Sequence, residues 1–148
     1  MAARKTKEER MIEKPPLVLS NFNPLTDKVV YTNDRGAWNV DRALRDCMAG
    51  KHRIYLNDVE EAHAASAAVE VDEAKVQNLM QKREFLETTV LLGVVDDGMT
   101  WFIDGHHRLR AMYRVGVKDF AAWIIEEADS FPYKIFYNGQ RLPPWTEK

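Results

Sequence analysis

Residues 101–120 read WFIDGHHRLRAMYRVGVKDF, and the reading of this stretch decides the fold. The run MTWFID has the composition of a strand, and it stops at Asp104-Gly105. From His106 onward the apolar period lengthens from two residues to about 3.6. Leu109, Met112 and Val115, with Tyr113 at the margin, form the buried side of a helix, and Gly116 is placed to end it. FAAWII then supplies another strand.

Upstream of this stretch, ETTVLLGVV and MTWFID are two strands about a tight turn, where Asp97-Gly98 provides the positive φ angles a hairpin needs. Before the hairpin, Asp72 can cap a helix in which Val76, Leu79, Met80 and Arg83 fall on one stripe. The order is therefore helix, hairpin, helix, strand. Farther towards the N-terminus the signals are thinner. Leu17 to Leu19 reads as a short strand and SNFNPLTDK as a loop. Asp41 to Met48 reads as a helix with Asn39 or Asp41 as its cap and Gly50 as its stop. HRIYL reads as a strand, and NDVEEAHAASAA as an alanine-rich helix. Residues 1–16 form a polar, charged tail closed by two prolines, expected to be mobile. Residues 17–126 are expected to be one domain, and residues 127–148 an aromatic extension with an Asn138-Gly139 turn that docks on it.

The bulk composition limits the function classes. An apolar fraction of 45% and a charged fraction of 30% belong to a globular protein. Apolar runs such as TTVLLGVV are too short to cross a bilayer, and no secretory pattern follows the charged start, so a cytoplasmic location is expected. It would be the host cytoplasm if the chain were phage-encoded. The single cysteine, Cys47, sits in a helical context and reads as buried filler, and no Cys-x-x-Cys motif exists for zinc. A net charge of −2 argues against a coat for non-specific DNA binding. Between Asp104 and Lys118, however, one acid stands against Arg108, Arg110, Arg114 and Lys118, which points to a localised anion.

The start of the second helix is where that anion would sit. Its first turn has main-chain N–H groups without intrahelical partners and carries the positive end of the helix dipole. Gly105 lets a ligand approach the backbone, and His106, His107 and Arg108 add donors suited to phosphate. Asp104, at the strand end, is placed to hold magnesium or to orient an imidazole. His107, Arg110 and Arg114 share a stripe away from Leu109 and Met112. His106 and His107 diverge by about 100° on a helix and cannot both face one zinc ion unaided. On the residues alone, an anion site and a plain turn with an Asp104 cap remain equally open.

The stretch FIDGHHRLRAMYRVGVKDFAAWII resembles the signature of the ParB/sulfiredoxin superfamily: a strand, Gly-x-x-Arg opening a helix that ends in glycine, then a strand. The likeness extends upstream through VDEAKVQNLMQKREFLETTVLLGVVDDGMTW and covers residues 54–126. It implies an α+β fold, a small mixed sheet packed by helices around a hairpin-helix-strand core. Chromosome-partitioning ParB proteins carry Gly-Glu-Arg-Arg, and this chain has no acid after Gly105. Sulfiredoxins carry a cysteine where His106 stands, which argues against sulfinate reduction by that route. The spelling Asp-Gly-His-His-Arg is similar to that of the free-serine kinase branch. That resemblance implies a phosphotransferase or nucleotide hydrolase with Mg²⁺ and ATP or ADP. Gly105, His106, His107 and Arg108 would hold phosphates, Asp104 would be a catalytic or metal-binding acid, and His106 would be free to contact the acceptor. An upstream glutamate would be the base, with Glu60, Glu61, Glu70 and Glu73 as candidates and Glu70 best placed. Two other functions compete. One is a ParB-like nucleic-acid-binding protein or nuclease in which the Arg110 and Arg114 stripe tracks phosphates. The other is a non-catalytic nucleotide sensor or partner-binding module.

Overall fold

A computed structural model of the chain describes residues 19–33, 35–137 and 140–141. It is a mixed α+β structure with two sheets where the sequence led us to expect one. The tail at residues 1–16 and the turn at residues 138–139 lie outside the described residues. Among the described residues, no helix is long and apolar enough to cross a membrane.

The first sheet contains β1 (Leu19–Ser20), β2 (Val30–Asn33), β3 (Gly36–Asn39), β8 (Lys134–Tyr137) and β9 (Gln140–Arg141). The hairpin β2–β3 is antiparallel, and Ala37 and Trp38 of β3 face Ile135 and Lys134 of β8. All four residues of β3 are buried, so GAWN shows none of the alternation that marks a half-exposed strand. Helix α1 (Val40–Met48) follows at once, with the Asn39 side chain accepting from the Arg42 N–H as its cap.

The second sheet has the order β4 (Ile54–Asp58), β7 (Asp119–Ile125), β5 (Val90–Asp96), β6 (Met99–Asp104). β5 and β7 run parallel, and the other two pairings are antiparallel. Between these strands come α2 (Val59–Ala65), α3 (Glu73–Met80), α4 (Arg83–Thr88) and α5 (His106–Val115). Caps explain two of these starts: Asp58 accepts from the Glu61 N–H, and Asp72 from the Ala74 N–H. α4 corrects the sequence reading, because Glu87 and Thr88 close this helix and β5 begins only at Val90. No side chain caps α4. It is held by Leu86, which is fully buried.

β5 is buried on both faces, which is why it reads as a continuous apolar run. Leu91 and Phe102 join Val76, Leu86, Leu109 and Met112 beneath the helices. Leu92, Val94, Ile103 and Ile125 face the other way, onto Trp38, Val40 and Tyr133 of the first sheet's layer. Three layers result: helices, second sheet, first sheet with α1. Cys47 belongs to the latter core, and burial pushes its thiol up to about 12, so it stays protonated.

Candidate functional site

The site begins where β6 gives way to α5. The β5–β6 register shifts between Leu92 and Gly93, placing Asp104 opposite Leu92 and Phe102 opposite Gly93. Such an irregularity re-aims the end of a strand. Gly105 then adopts φ 103° and ψ 18°, a left-handed conformation, and offers no side chain to cap α5. A Cβ here would stand 2.4 Å from Leu91 Cγ and 3.3 Å from an Arg108 terminal nitrogen. Only glycine fits.

Beside this turn lies a cleft of about 370 Å³, walled by Asp104, Gly105, His107 and Arg108 on one side and by Lys75, Asn78 and Phe85 from α3 and α4 on the other. Arg108 is half-buried and well anchored. One terminal nitrogen donates to Asp104 at 2.8 Å, and the other donates to the Thr89 hydroxyl at 2.6 Å and the Val90 carbonyl at 3.3 Å. Its charge is thus shared with Asp104, and its remaining N–H groups are what a ligand could use. His107 Nε2 accepts from the Asp72 main-chain N–H at 3.0 Å. With Nε2 accepting, the ring proton is on Nδ1.

The stripe of His107, Arg110 and Arg114 has a clear structural task. Arg110 donates to the Val69 carbonyl at 3.3 Å, and Arg114 forms a bidentate pair with Glu73. Together with the His107 bond, these contacts hold residues 69–73 and the start of α3 against α5. Hydrogen bonds from Arg114, then from Gln77, bring the Glu73 carboxyl down to about 2. Glu73 is therefore an occupied ion-pair partner. Glu60 and Glu61 lie in the first turn of α2 as dipole partners.

His106 turns away from the cleft. It stacks on Tyr31 with centroids 5.2 Å apart, and it lines a second cavity together with Glu70. The residues assigned to the site from the sequence therefore divide between two hollows on either side of one loop. Asp104, Gly105, His107 and Arg108 border the first, and His106 and Glu70 the second. Lys75 and Asn78 escaped the sequence reading, although both flank the Val76–Leu79 stripe. Only the packing of α3 against α5 brings them to Gly105.

No family model, curated protein or solved structure matches this chain.

Burial also holds the His106 imidazole below its ordinary value, against the opposing pull of the Phe102 carbonyl and Asp104. His63, stacked on Tyr113 at 3.8 Å, is lowered in the same direction by burial, then by Arg110 and Arg114. A histidine neutral when folded takes up its proton on unfolding once the pH drops below about 6.5. Its stabilisation is present above that pH and is lost as pH falls towards the folded value. The urea midpoint is therefore expected to decline between about pH 7 and pH 5, with His106→Phe flattening part of the slope and His63→Phe another part. A midpoint that is flat across that window would contradict this. Asp27 acts lower on the scale. Burial alone would raise its carboxyl, but bonds from the Asn23 N–H, Arg45 and Asn39 outweigh it and hold the group well below the usual range. Its contribution is lost only below about pH 4.

Proposed function

We propose that the chain is a nucleotide-binding protein of ParB/sulfiredoxin-like type, with phosphates held in the cleft at the start of α5. The observation that carries this is the Gly105 turn. It opens a first helical turn with no side-chain cap onto a cleft where Lys75 and Arg108 outnumber the single carboxylate, Asp104. Main-chain N–H groups, the Lys75 ammonium, the Asn78 amide, the His107 Nδ1–H and the spare Arg108 N–H groups form a donor set suited to phosphate oxygens.

The fuller reading is an Mg²⁺-dependent phosphotransferase or nucleotide hydrolase using ATP or ADP. Among the described residues, no group of three or more His, Cys, Asp or Glu could hold a metal by itself. Asp104 is moreover paired with Arg108 at 2.8 Å. The residues fit magnesium only as an ion carried on phosphates, with Asp104 as the protein's one carboxylate for it. There it would supply neutralisation of charge on the phosphoryl oxygens. The chain's own part is to position: Arg108, braced by Thr89, fixes Asp104, and the Asp72 bond fixes the tautomer of His107. The nucleic-acid reading is less well supported, because Arg110 and Arg114 are engaged with residues 69–73 of the same chain.

The test is a thermal-shift series with ADP and ATP, with and without magnesium, on the parent and on Lys75→Ala. Lys75 is exposed, so its loss leaves the fold intact. A saturating nucleotide is expected to raise the parent's Tm by several degrees. Lys75→Ala is expected to weaken affinity by roughly tenfold, the worth of one charge-assisted hydrogen bond. Equal shifts in both proteins, or none with any nucleotide, would overturn the proposal.

A further inference from the structure

The second cavity has a volume of about 460 Å³, within the range of small-molecule sites. Its walls come from the end of β2, the connection between α2 and α3, β6 and the first residue of α5. Three features set it apart from the phosphate cleft. The first is two residues with orphaned polar atoms. The Asn33 amide nitrogen and both ring nitrogens of His106 are buried without a well-formed hydrogen bond, although the Phe102 carbonyl is close enough to act on the imidazole. Buried polar groups in a native protein are almost always paired, so an orphan set on a cavity wall points to something that pairs with them.

The second is that these atoms are held in place. Asn33 Oδ1 accepts from the main-chain N–H of Arg35 at 2.8 Å and of Gly36 at 3.1 Å. Those bonds settle which end of the amide is oxygen, so the nitrogen is the end left over. His106 is fixed by its stack on Tyr31, at an interplanar angle of 20°. Trp101 spends its indole N–H on the Asp96 carbonyl at 3.3 Å, leaving its ring as an apolar wall.

The third is charge. Among the described residues, no lysine or arginine lines this cavity, and Glu70 is its one charged wall residue. An anion would enter it without a counter-charge and against a carboxylate.

From these observations we infer that the cavity binds a small, uncharged, planar ring bearing an amide or carbonyl group on its edge. The ring packs among the Tyr31–His106 stack, Trp101 and Phe102. The carbonyl accepts from the Asn33 amide, and an N–H or hydroxyl on the same edge donates to a His106 nitrogen. This site does not depend on the phosphate cleft, and its test uses other ligands and other variants.

Benzamide is the probe, with benzoate as its anionic isostere and cyclohexanecarboxamide as its non-planar counterpart. Binding is read by ligand-observed NMR and titration calorimetry on the whole chain. Benzamide is expected to bind in the millimolar range, roughly tenfold tighter than either control. Asn33→Asp keeps the acceptor for the Arg35 and Gly36 N–H groups but removes the donor, and is expected to weaken benzamide by roughly tenfold. Ala68→Trp, at an exposed position on the cavity wall, is expected to abolish binding with Tm unchanged. Lys75→Ala is expected to leave benzamide binding as it is. Absence of benzamide binding at millimolar concentration would overturn the inference. So would benzoate binding equally well, or affinity surviving both Asn33→Asp and Ala68→Trp.

Discussion

Gly105→Ala is expected to destabilise the protein by about 3 kcal/mol, through two separate effects. At φ 103° an L side chain is strained whatever space surrounds it, which costs about 1–2 kcal/mol. The added methyl would also meet Leu91 Cγ at 2.4 Å, and Leu91 is fully buried under the helices. Overpacking of a closed core adds about 1–3 kcal/mol. The two parts can be separated in a double variant. Leu91→Ala removes the clashing atom and leaves a cavity, so Gly105→Ala added to it should cost only the backbone strain, and the two losses will not sum. Equilibrium urea denaturation measures the parent and all three variants. A loss below about 1 kcal/mol for Gly105→Ala alone would show that the turn is not fixed as described.

Asp96→Ala is expected to cost about as much, at a place where the two sheets are tied together. Asp96 ends β5 in the second sheet and is only 2% exposed. Its carboxylate meets Arg35 Nε at 3.2 Å and Lys134 Nζ at 2.9 Å, both from the first sheet's layer. Removing the acid takes the carboxylate from the mostly buried Lys134, which also lies 5.5 Å over the Trp38 ring, and leaves Arg35 with Asp97 alone. Breaking a buried pair in this way costs about 3–5 kcal/mol, and the partial exposure of Arg35 places the expectation at the lower end. The neighbouring Asp97 also meets Arg35, at 2.8 Å, yet its side chain is 75% exposed. Asp97→Ala is expected to cost at most about 1 kcal/mol. Equal losses for the two variants would contradict the assignment of Asp96 as the inter-sheet tie.

Local chemistry made the second half of the chain legible. Asp97 and Gly98 have φ values of 55° and 75°, as the Asp-Gly turn requires, and Gly116 closes α5 at φ 80°. Asp72 caps where the sequence placed it, and of the two candidates Asn39 and Asp41 it is Asn39 that caps the earlier helix. What escaped was fixed by distant partners. β3 is buried along its whole length because β8, about two-thirds of the chain away in sequence, lies beside it. α4 has no cap and owes its form to packing of Leu86. The site divides in the same way. Gly105 to Arg108 stood out as a strand-to-helix turn, but the residues alone left an anion site and a plain turn equally open. The wheel placed His107, Arg110 and Arg114 together, but whether that stripe faced solvent or residues 69–73 depended on a connection with no periodicity. Lys75 comes to the first cleft, and Asn33 and Tyr31 to the second cavity, only through tertiary packing.

The proposed phosphate site is tested most directly by titrating the isotopically labelled protein with ADP while following its main-chain amides. Bound phosphate is expected to move the Gly105, His106, His107 and Arg108 amide resonances together, with Lys75→Ala weakening the same response and the Asn33 side-chain amide unmoved. Shifts that begin elsewhere on the protein, or an α5 start that stays silent at saturating nucleotide, would contradict it.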